Sequence, residues 1–270
     1  MTVAIVGVGN LGKALVESLL ASSYRSEDVL LIERAEADRS QLSARYGCRV
    51  EAEFPESVRL GSGDVIVLTV KPQDSEAACS SLRPHISPEV VVLSCMAGVP
   101  CSALVSWLGT PKVVRAMPNL GAARRESASA VYIPAGLTDE EIRHISAIID
   151  SCGKGWRVDR EELIDVATAV AGSGPAYLCW LAEQLENVAV ESGFAAHDAH
   201  ALVLQTFKGA VSVLEESAER FSELRKRVTS PNGTTAAALS VLDERVAAEH
   251  VRDAVRAALR RAKELSSSRS

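Results

Sequence analysis

Short runs of β-branched and other apolar residues alternate with longer helical patterns over the first 160 residues. Five runs predict strands, at residues 3–6, 29–32, 64–70, 90–94 and 112–117, and a sixth short strand is predicted at 156–158. Continuous apolar strands separated by helices are typical of a parallel sheet that is covered on both faces. The pattern therefore predicts an α/β domain with a doubly wound sheet in residues 1–160.

The pattern changes near residue 160, and no strand is predicted after it. Helices are predicted at residues 161–171, 175–192 and 197–218, and residues 234–265 predict one or two more. Asp159 and Glu162 have the spacing of a capping box, and Gly193 is expected to end the second helix. We therefore expect an all-helical domain at residues 161–270, whose apolar faces form the core of a dimer.

Composition and charge narrow the classes of function. The chain has 47% hydrophobic and 24% charged residues, which is typical of a globular protein. Its net charge of -6 and the lack of a basic run argue against a nucleic-acid partner. Six scattered cysteines form no C-x-x-C pair, so we predict no metal site and no disulfide framework. The N-terminus lacks signal-peptide features, and no apolar run approaches the roughly 20 residues of a membrane span, so we expect a cytoplasmic protein without a membrane partner.

A glycine-rich loop follows the first strand. The sequence G-V-G-N-L-G (residues 7–12, the glycine loop) precedes a helix predicted to open at Lys13. The G-x-G-x-x-G spacing between a strand and a helix is the fingerprint of a Rossmann-like dinucleotide-binding domain. The same residues match the G-x-x-x-x-G-K spacing of a P-loop, but Ala14 stands where that loop needs a hydroxyl, and the third strand ends without an acidic residue. A purely structural turn is the third interpretation.

Two charged residues end the second strand and point to different coenzymes. Glu33 lies about 20 residues after the glycine loop, where a carboxylate hydrogen-bonds the adenosine ribose and favours NAD. Arg34 is suited to bind a 2′-phosphate and favours NADP. A solvent-exposed strand end without a ligand is the alternative, so the sequence leaves coenzyme preference open.

A second polar loop lies at residues 229–235 (the carboxylate loop), with the sequence T-S-P-N-G-T-T before three alanines. Ser, Pro, Asn and Gly interrupt regular structure, whereas the alanines favour a helix. The backbone N–H groups at such a helix start lack partners and carry about half a positive charge, so they suit a small carboxylate or phosphate. An ordinary capped helix is the alternative.

Five motifs extend along nearly the whole chain. They are V-K-P (70–72), M-A-G-V (96–99), R-x-M-P-N (115–119), G-S-G-P-A-Y (172–177) and V-T-S-P-N-G-T-T (228–235). In this order and spacing they resemble the motifs of the pyrroline-5-carboxylate reductase family, which catalyses the last step of proline synthesis. The resemblance implies an NAD(P)H-dependent oxidoreductase that reduces 1-pyrroline-5-carboxylate to L-proline. It also implies a homodimer with interlocked helical domains, often assembled into a decamer.

The resemblance assigns residues to an active site between the nucleotide domain of one subunit and helices of its partner. NADPH, with NADH as the alternative, is expected at Gly7, Gly9, Asn10, Leu11, Gly12, Arg34, Val70, Lys71, Pro72, Met96, Ala97 and Gly98. The substrate, a cyclic imine carboxylate, is expected at Ser230, Gly233, Thr234, Thr235 and Asn119. Thr235 is the expected catalytic residue, which hydrogen-bonds the ring nitrogen. For Asn119, capping of the local backbone is the alternative.

The chain departs from the family pattern in two loops of interest. Leu120-Gly121 replaces the usual Thr-Pro, and Asn232 replaces the first glycine of a Gly-Gly pair, where its tolerance of positive φ is expected to preserve the turn. These changes permit two further hypotheses: a paralogue that reduces a related cyclic imine carboxylate in a specialised pathway, or a catalytically inactive nucleotide-binding sensor. Related two-domain dehydrogenases need a catalytic lysine on the first long helix of the helical domain. Residues 161–193 contain no lysine, so the sequence argues against that class of enzyme.

Overall fold

The computed structural model describes residues 1–217 and 219–267. An eight-stranded sheet occupies the N-terminal part, with the order β3-β2-β1-β4-β5-β6-β7-β8. The strands are β1 Val3–Val6, β2 Val29–Ile32, β3 Arg49–Glu51, β4 Val65–Leu68, β5 Val91–Ser94, β6 Val113–Met117, β7 Ser127–Tyr132 and β8 Gly153–Val158. All neighbours pair in parallel except β6 and β7, which are antiparallel.

The first six strands have the order 3-2-1-4-5-6, which is that of the Rossmann fold. Alternate residues of β1 point to opposite faces: Val3 and Ile5 join one buried cluster, and Ala4 and Val6 join the other. The predicted doubly wound sheet is confirmed. The strand order reverses between β1 and β4, and ligands of such sheets bind beside the carboxyl ends of the strands at that point.

Two strands, β3 and β7, have no counterpart among the predicted ones, and the strand predicted at 156–158 is shorter than the observed β8. β3 is an edge strand whose residues are only partly buried, so its apolar signal is weak. β7 alternates buried and half-buried positions, but its buried positions include the small residues Ser127 and Ser129, whose hydroxyls lie 3.1 Å apart. β8 begins three residues before the predicted strand at 156–158.

Eleven α-helices are present in the described residues. They are α1 Asn10–Leu20, α2 Glu36–Tyr46, α3 Ser75–Leu82, α4 Cys101–Leu108, α5 Asp139–Ser151, α6 Leu163–Ala167, α7 Gly174–Glu191, α8 Ala196–Glu216, α9 Phe221–Arg227, α10 Thr234–Glu244 and α11 Ala247–Ser267. Within residues 161–217 and 219–267 there is no strand. The predicted all-helical segment is thus confirmed for the part of the chain that the structure describes.

Several helix boundaries differ from the predictions. The capping box at Asp159 and Glu162 is wrong, since α6 has Glu162 as its N-cap and no side-chain cap bond. After α6 the backbone continues as a π-helix, Thr168–Gly172. Gly193 follows α7 with a φ of +108°, as expected for a helix end. The short helix α9 was not predicted, and the predicted end of α8 at Ala218 lies outside the described residues.

Contacts divide the chain into two compact units. The first is Met1–Ser173 together with the segment that begins at Ala257, and the second is Gly174–Arg256. The helix α11 therefore contributes residues to both. The domain boundary at residue 160 stays a prediction, because the contacts place the π-helix with the sheet.

Candidate functional site

The glycine loop joins β1 to α1 by a tight turn. Gly7 has a φ of +86°, and a Cβ there would lie 2.6 Å from Val70 Cγ1. A Cβ on Gly12 would lie 2.6 Å from the Gly7 carbonyl oxygen, whereas a Cβ on Gly9 would have no atom within 4 Å. Two glycines are therefore required by packing inside the protein, and Gly9 borders open space, where a ligand can approach the backbone.

The helix α1 starts three residues earlier than predicted, at Asn10 instead of Lys13. Its N-cap is Gly9, which has no side chain to bond the first N–H groups. A bare helix N-terminus attracts anions. Thr69, which the sequence analysis did not select, supports the loop from β4: its hydroxyl donates to the Gly7 carbonyl at 2.5 Å.

A cavity of about 470 Å³ lies beside this loop at the carboxyl ends of the strands. Of the residues predicted to bind coenzyme, it is lined by Gly7, Gly9, Arg34, Val70 and Lys71. Those outside its lining are Asn10, Leu11, Gly12, Pro72, Met96, Ala97 and Gly98. The lining also includes residues that the sequence analysis did not select, among them Lys13, Phe54 and Asp74. Phe54 and Asp74 belong to no glycine or phosphate motif, so only their position in the fold brings them to the cavity.

Glu33 and Arg34 both line the cavity but are engaged differently. The Glu33 carboxylate accepts the Val8 N–H at 2.8 Å and the Ala35 N–H at 3.1 Å, one on each oxygen. The Arg34 side chain is exposed, while its carbonyl accepts a bond from Arg39 Nη1 at 2.6 Å. Glu33 therefore braces the glycine loop, and Arg34 presents a guanidinium at the cavity.

These features fit a dinucleotide coenzyme. The bare N-terminus of α1 and the open space above Gly9 suit a pyrophosphate. The charged residues of the lining are three cations and four carboxylates: Lys13, Arg34, Lys71, Glu33, Asp38, Glu53 and Asp74. Gly98, which lies outside the cavity lining, is required by packing inside the protein. Its φ is +66°, and a Cβ added to Gly98 would lie only 2.5 Å from the Cβ of Leu265 in α11. A protein side chain therefore explains this glycine.

The carboxylate loop belongs to the second unit. Asn232 has a φ of +58°, so the turn adopts the left-handed conformation that asparagine tolerates. The Gly233 N–H donates to the Ser230 carbonyl at 3.1 Å, and a Cβ on Gly233 would overlap Ser230 Oγ. Gly233 is the N-cap of α10 and provides no side-chain cap. The loop thus presents the exposed hydroxyls of Ser230 and Thr234 and the half-buried Thr235 around a bare helix N-terminus.

Asn119 lies in the first unit, two residues after the end of β6, and both polar atoms of its side chain are bonded. Its Oδ1 accepts the Gly121 N–H at 3.0 Å, and its Nδ2 donates to the carbonyl of Ala171 in the π-helix at 3.1 Å. These bonds support the backbone-capping alternative, and substrate binding by Asn119 stays a prediction. Leu120 is 72% exposed, and Gly121 has no room for a side chain because its Cβ would overlap the Glu126 carbonyl.

A buried charge cluster lies around Arg115, the central residue of β6. The Arg115 guanidinium donates to Glu161 Oε1 at 2.8 Å and lies 3.7 Å from Asp165 Oδ1. Glu161 Oε1 also accepts the N–H of Cys101, the first residue of α4, at 2.8 Å. Burial and the neighbouring Glu161 raise the pKa of the Cys101 thiol to about 12, so it is un-ionised at neutral pH.

None of the described helices is long and apolar enough to cross a membrane. Across the described residues, no three histidine, cysteine or acidic side chains group as metal ligands would.

Comparisons with known proteins cover both parts of the chain. Residues 161–265 match the family model described as pyrroline-5-carboxylate reductase dimerisation. Residues 2–98 match the model described as NADP oxidoreductase coenzyme F420-dependent.

Individual relatives match over the full length. The pyrroline-5-carboxylate reductase of Pseudomonas aeruginosa is 35% identical over 97% of this chain and 96% of its own. Pyrroline-5-carboxylate reductase 1 of Bacillus subtilis is 32% identical over 98% of this chain and 89% of its own. Among solved structures, the Coxiella burnetii pyrroline-5-carboxylate reductase is 29% identical with a TM-score of 0.88, covering 98% of both chains. The Plasmodium falciparum pyrroline carboxylate reductase with NADP bound is 25% identical with a TM-score of 0.87, covering 98% of both. With the Rossmann sheet, the glycine loop and the full-length matches together, this chain belongs to the pyrroline-5-carboxylate reductase family.

Proposed function

We propose that this protein reduces 1-pyrroline-5-carboxylate to L-proline, binding NADPH at the glycine loop and the substrate carboxylate at the carboxylate loop. The observation that carries the substrate assignment is the bare N-terminus of α10, where Gly233 leaves the first N–H groups uncapped. The partial positive charge of a helix N-terminus stabilises a carboxylate. The exposed Ser230 hydroxyl lies beside these groups as a further donor.

The chemistry asks little of ionisable side chains. A nicotinamide bound at the glycine loop would supply a hydride to the carbon of the protonated imine, whose nitrogen keeps its proton and takes up the electrons of the broken C=N π bond. The protein's task is to hold the flat ring in one orientation, which contributes much of the rate of such reactions. In the proposed arrangement the Thr235 hydroxyl hydrogen-bonds the ring nitrogen and fixes the position of its proton. Thr235 is the second residue of α10, beside the N–H groups that bind the carboxylate.

The roles of the loop residues are tested by removing one hydroxyl at a time. Thr235→Ala is expected to lower kcat by about tenfold to a hundredfold, because a positioned hydrogen-bond donor or acceptor to the reacting atom is lost. NADPH affinity is expected to stay within about twofold, since the coenzyme is held by a different part of the chain. Thr235→Ser, which keeps the hydroxyl, is expected to recover most of the rate. Ser240→Ala is the matched control, because it removes a hydroxyl of α10 that bonds Glu244. Equal turnover in wild type and Thr235→Ala would contradict the role of Thr235.

We infer that NADPH is the preferred coenzyme, with NADH as the second. Support comes from the Glu33 carboxylate, whose oxygens already accept two backbone N–H groups, and from the exposed guanidinium of Arg34 at the same cavity. A 2′-phosphate is well matched to a guanidinium. Steady-state rates with both coenzymes at subsaturating concentration test this preference directly.

We also propose a cytoplasmic homodimer, with the decamer as its larger assembly. In the isolated chain α7 has no buried residue, and its apolar side chains, including Trp180 at 60% exposure, are largely exposed. Apolar surface of this extent marks an interface. Sedimentation equilibrium distinguishes a monomer, a dimer and a decamer, and a stable monomer at micromolar concentration would contradict the proposal.

The paralogue hypothesis is the second candidate, and Leu120 favours it. This exposed leucine follows the end of β6 by three residues, at the carboxyl edge of the sheet, where ligands of this fold bind. An apolar side chain there would favour a ring that carries an alkyl substituent. Rates with 1-pyrroline-5-carboxylate, its methylated analogues and 1-pyrroline-2-carboxylate separate the candidates, and no reduction of any of them would favour the sensor.

A further inference from the structure

We propose that Arg115 is a positioning residue for coenzyme binding: through Glu161 and Asp165 it holds the turn at residues 96–98 and the last turn of α11 in place. This inference rests on the proposed function and on the prediction that the 96–98 turn contacts the coenzyme, although the turn lies outside the lining of the cavity at the glycine loop. Arg115 lies on β6 and is only 2% exposed.

The Arg115 guanidinium is an unusual group to bury. Its Nη1 is bonded to Glu161, but its Nε and Nη2 have no hydrogen-bond partner among the described residues. Its charge is balanced by two carboxylates, Glu161 at 2.8 Å and Asp165 at 3.7 Å. Without the guanidinium these carboxylates would repel each other across a buried space, so each would move from its present partner.

The partner of Glu161 connects it to the 96–98 turn. The same oxygen that accepts from Arg115 accepts the Cys101 N–H at 2.8 Å. Cys101 is the first residue of α4, which begins three residues after Gly98, and the N-cap Pro100 provides no side-chain cap. Glu161 therefore caps α4 and fixes one end of the turn.

The partner of Asp165 connects it to the other side of the same turn. Asp165 Oδ1 accepts a bond from the Ser266 hydroxyl at 3.0 Å. The preceding residue, Leu265, packs directly on Gly98, with its Cβ 2.5 Å from the position of a Gly98 Cβ. If the hydrogen bond between Asp165 and Ser266 were lost, the Leu265 side chain that covers Gly98 would no longer be held in place.

The two connections act on one segment. The 96–98 turn follows β5, the strand next to β4, whose end supplies Val70 and Lys71 to the coenzyme cavity. Displacing the turn is expected to weaken coenzyme binding. A role confined to stability would lower the folded fraction but leave the dissociation constant of the folded protein unchanged.

The test measures NADPH binding by fluorescence titration on the full-length protein, together with thermal unfolding. Arg115→Met is expected to raise the Kd by about tenfold, and Arg115→Lys and Ser266→Ala by about threefold each. The matched control is Lys112→Met, which removes a partly buried cation just before the same strand, where it pairs with Glu89 and Glu141. Lys112→Met is expected to lower Tm but leave Kd within twofold.

Each outcome of this test either supports or overturns the role of Arg115. An unchanged Kd in the Arg115 and Ser266 variants, or an equal rise in Lys112→Met, overturns the inference while leaving the proposed function intact. A wild-type protein that binds no NADPH overturns both. Should Arg115→Met fail to fold, Arg115→Lys and Ser266→Ala carry the test alone, because neither leaves the two carboxylates without a cation.

Discussion

Gly98 offers a test of how closely α11 packs on the 96–98 turn. An alanine there meets two costs: a φ of +66°, which disfavours any Cβ, and overlap with the Cβ of Leu265 at 2.5 Å and its carbonyl carbon at 3.2 Å. The first cost is about 1–2 kcal/mol. Overpacking adds about 1–3 kcal/mol. Gly98→Ala is therefore expected to lower the free energy of unfolding by about 2–5 kcal/mol.

Gly63 separates the two costs, because its φ is +88° but a Cβ there would meet nothing within 4 Å. Gly63→Ala is expected to lose only about 1–2 kcal/mol. Chemical denaturation at one protein concentration, followed by circular dichroism, measures both variants. In a double-mutant cycle, Leu265→Gly is expected to recover part of the loss in Gly98→Ala. Equal losses at Gly98 and Gly63 would refute the packing of α11 on this turn.

Three further variants test other parts of the structure. Glu141→Gln is expected to cost about 1.5–3 kcal/mol at neutral pH, because it breaks a charged bond to Lys112. Burial raises the pKa of Glu141, but the bonds from Lys112 and Thr138 together outweigh it and hold this pKa below its usual value. The stabilising contribution of Glu141 is therefore present above the ordinary glutamate pKa and is lost as pH falls through the lowered one. Denaturation of both proteins from pH 7 to pH 3 checks that the difference in stability shrinks. Arg34→Met is expected to reduce the NADPH-over-NADH preference in kcat/KM by about tenfold or more, and an unchanged ratio would contradict the role of Arg34. Leu120→Thr is expected to shift relative rates towards the unsubstituted imine by about tenfold, and an unaltered substrate profile would contradict the specificity assigned to Leu120.

The sequence was sufficient for the parts of the fold that rest on local patterns. The buried runs of β1, β2, β4, β5 and β6 and the glycine loop follow from short-range composition, and each is confirmed. β7 was not found, because serines at its buried positions hide the alternation. Its place in the sheet depends on pairing with β6 and β8, which no local window contains.

The site shows the same division between local and long-range information. The turn at Asn232 follows from residue type, but the partners of Glu33 and Asn119 do not. Glu33 bonds Val8, 25 residues away, and Asn119 bonds Ala171, 52 residues away. Likewise, a coenzyme contact at Gly98 stays a prediction from the sequence motif, and only the fold reveals that Leu265 fills the space beside it.

The reversal of β7 has a consequence for how the protein sorts anions. Because β7 runs against β6, the helix that follows it starts at the opposite edge of the sheet, near Lys112. There the N-terminus of α5 is capped by its own Thr138 and Glu141. α4 starts at the carboxyl edge, after β5, and the N–H of its first residue is bonded by Glu161. α1 keeps an unsealed start at the coenzyme edge. The N–H groups at the starts of α4 and α5 are thus already bonded within the protein, whereas the uncapped starts of α1 and α10 are available to anions.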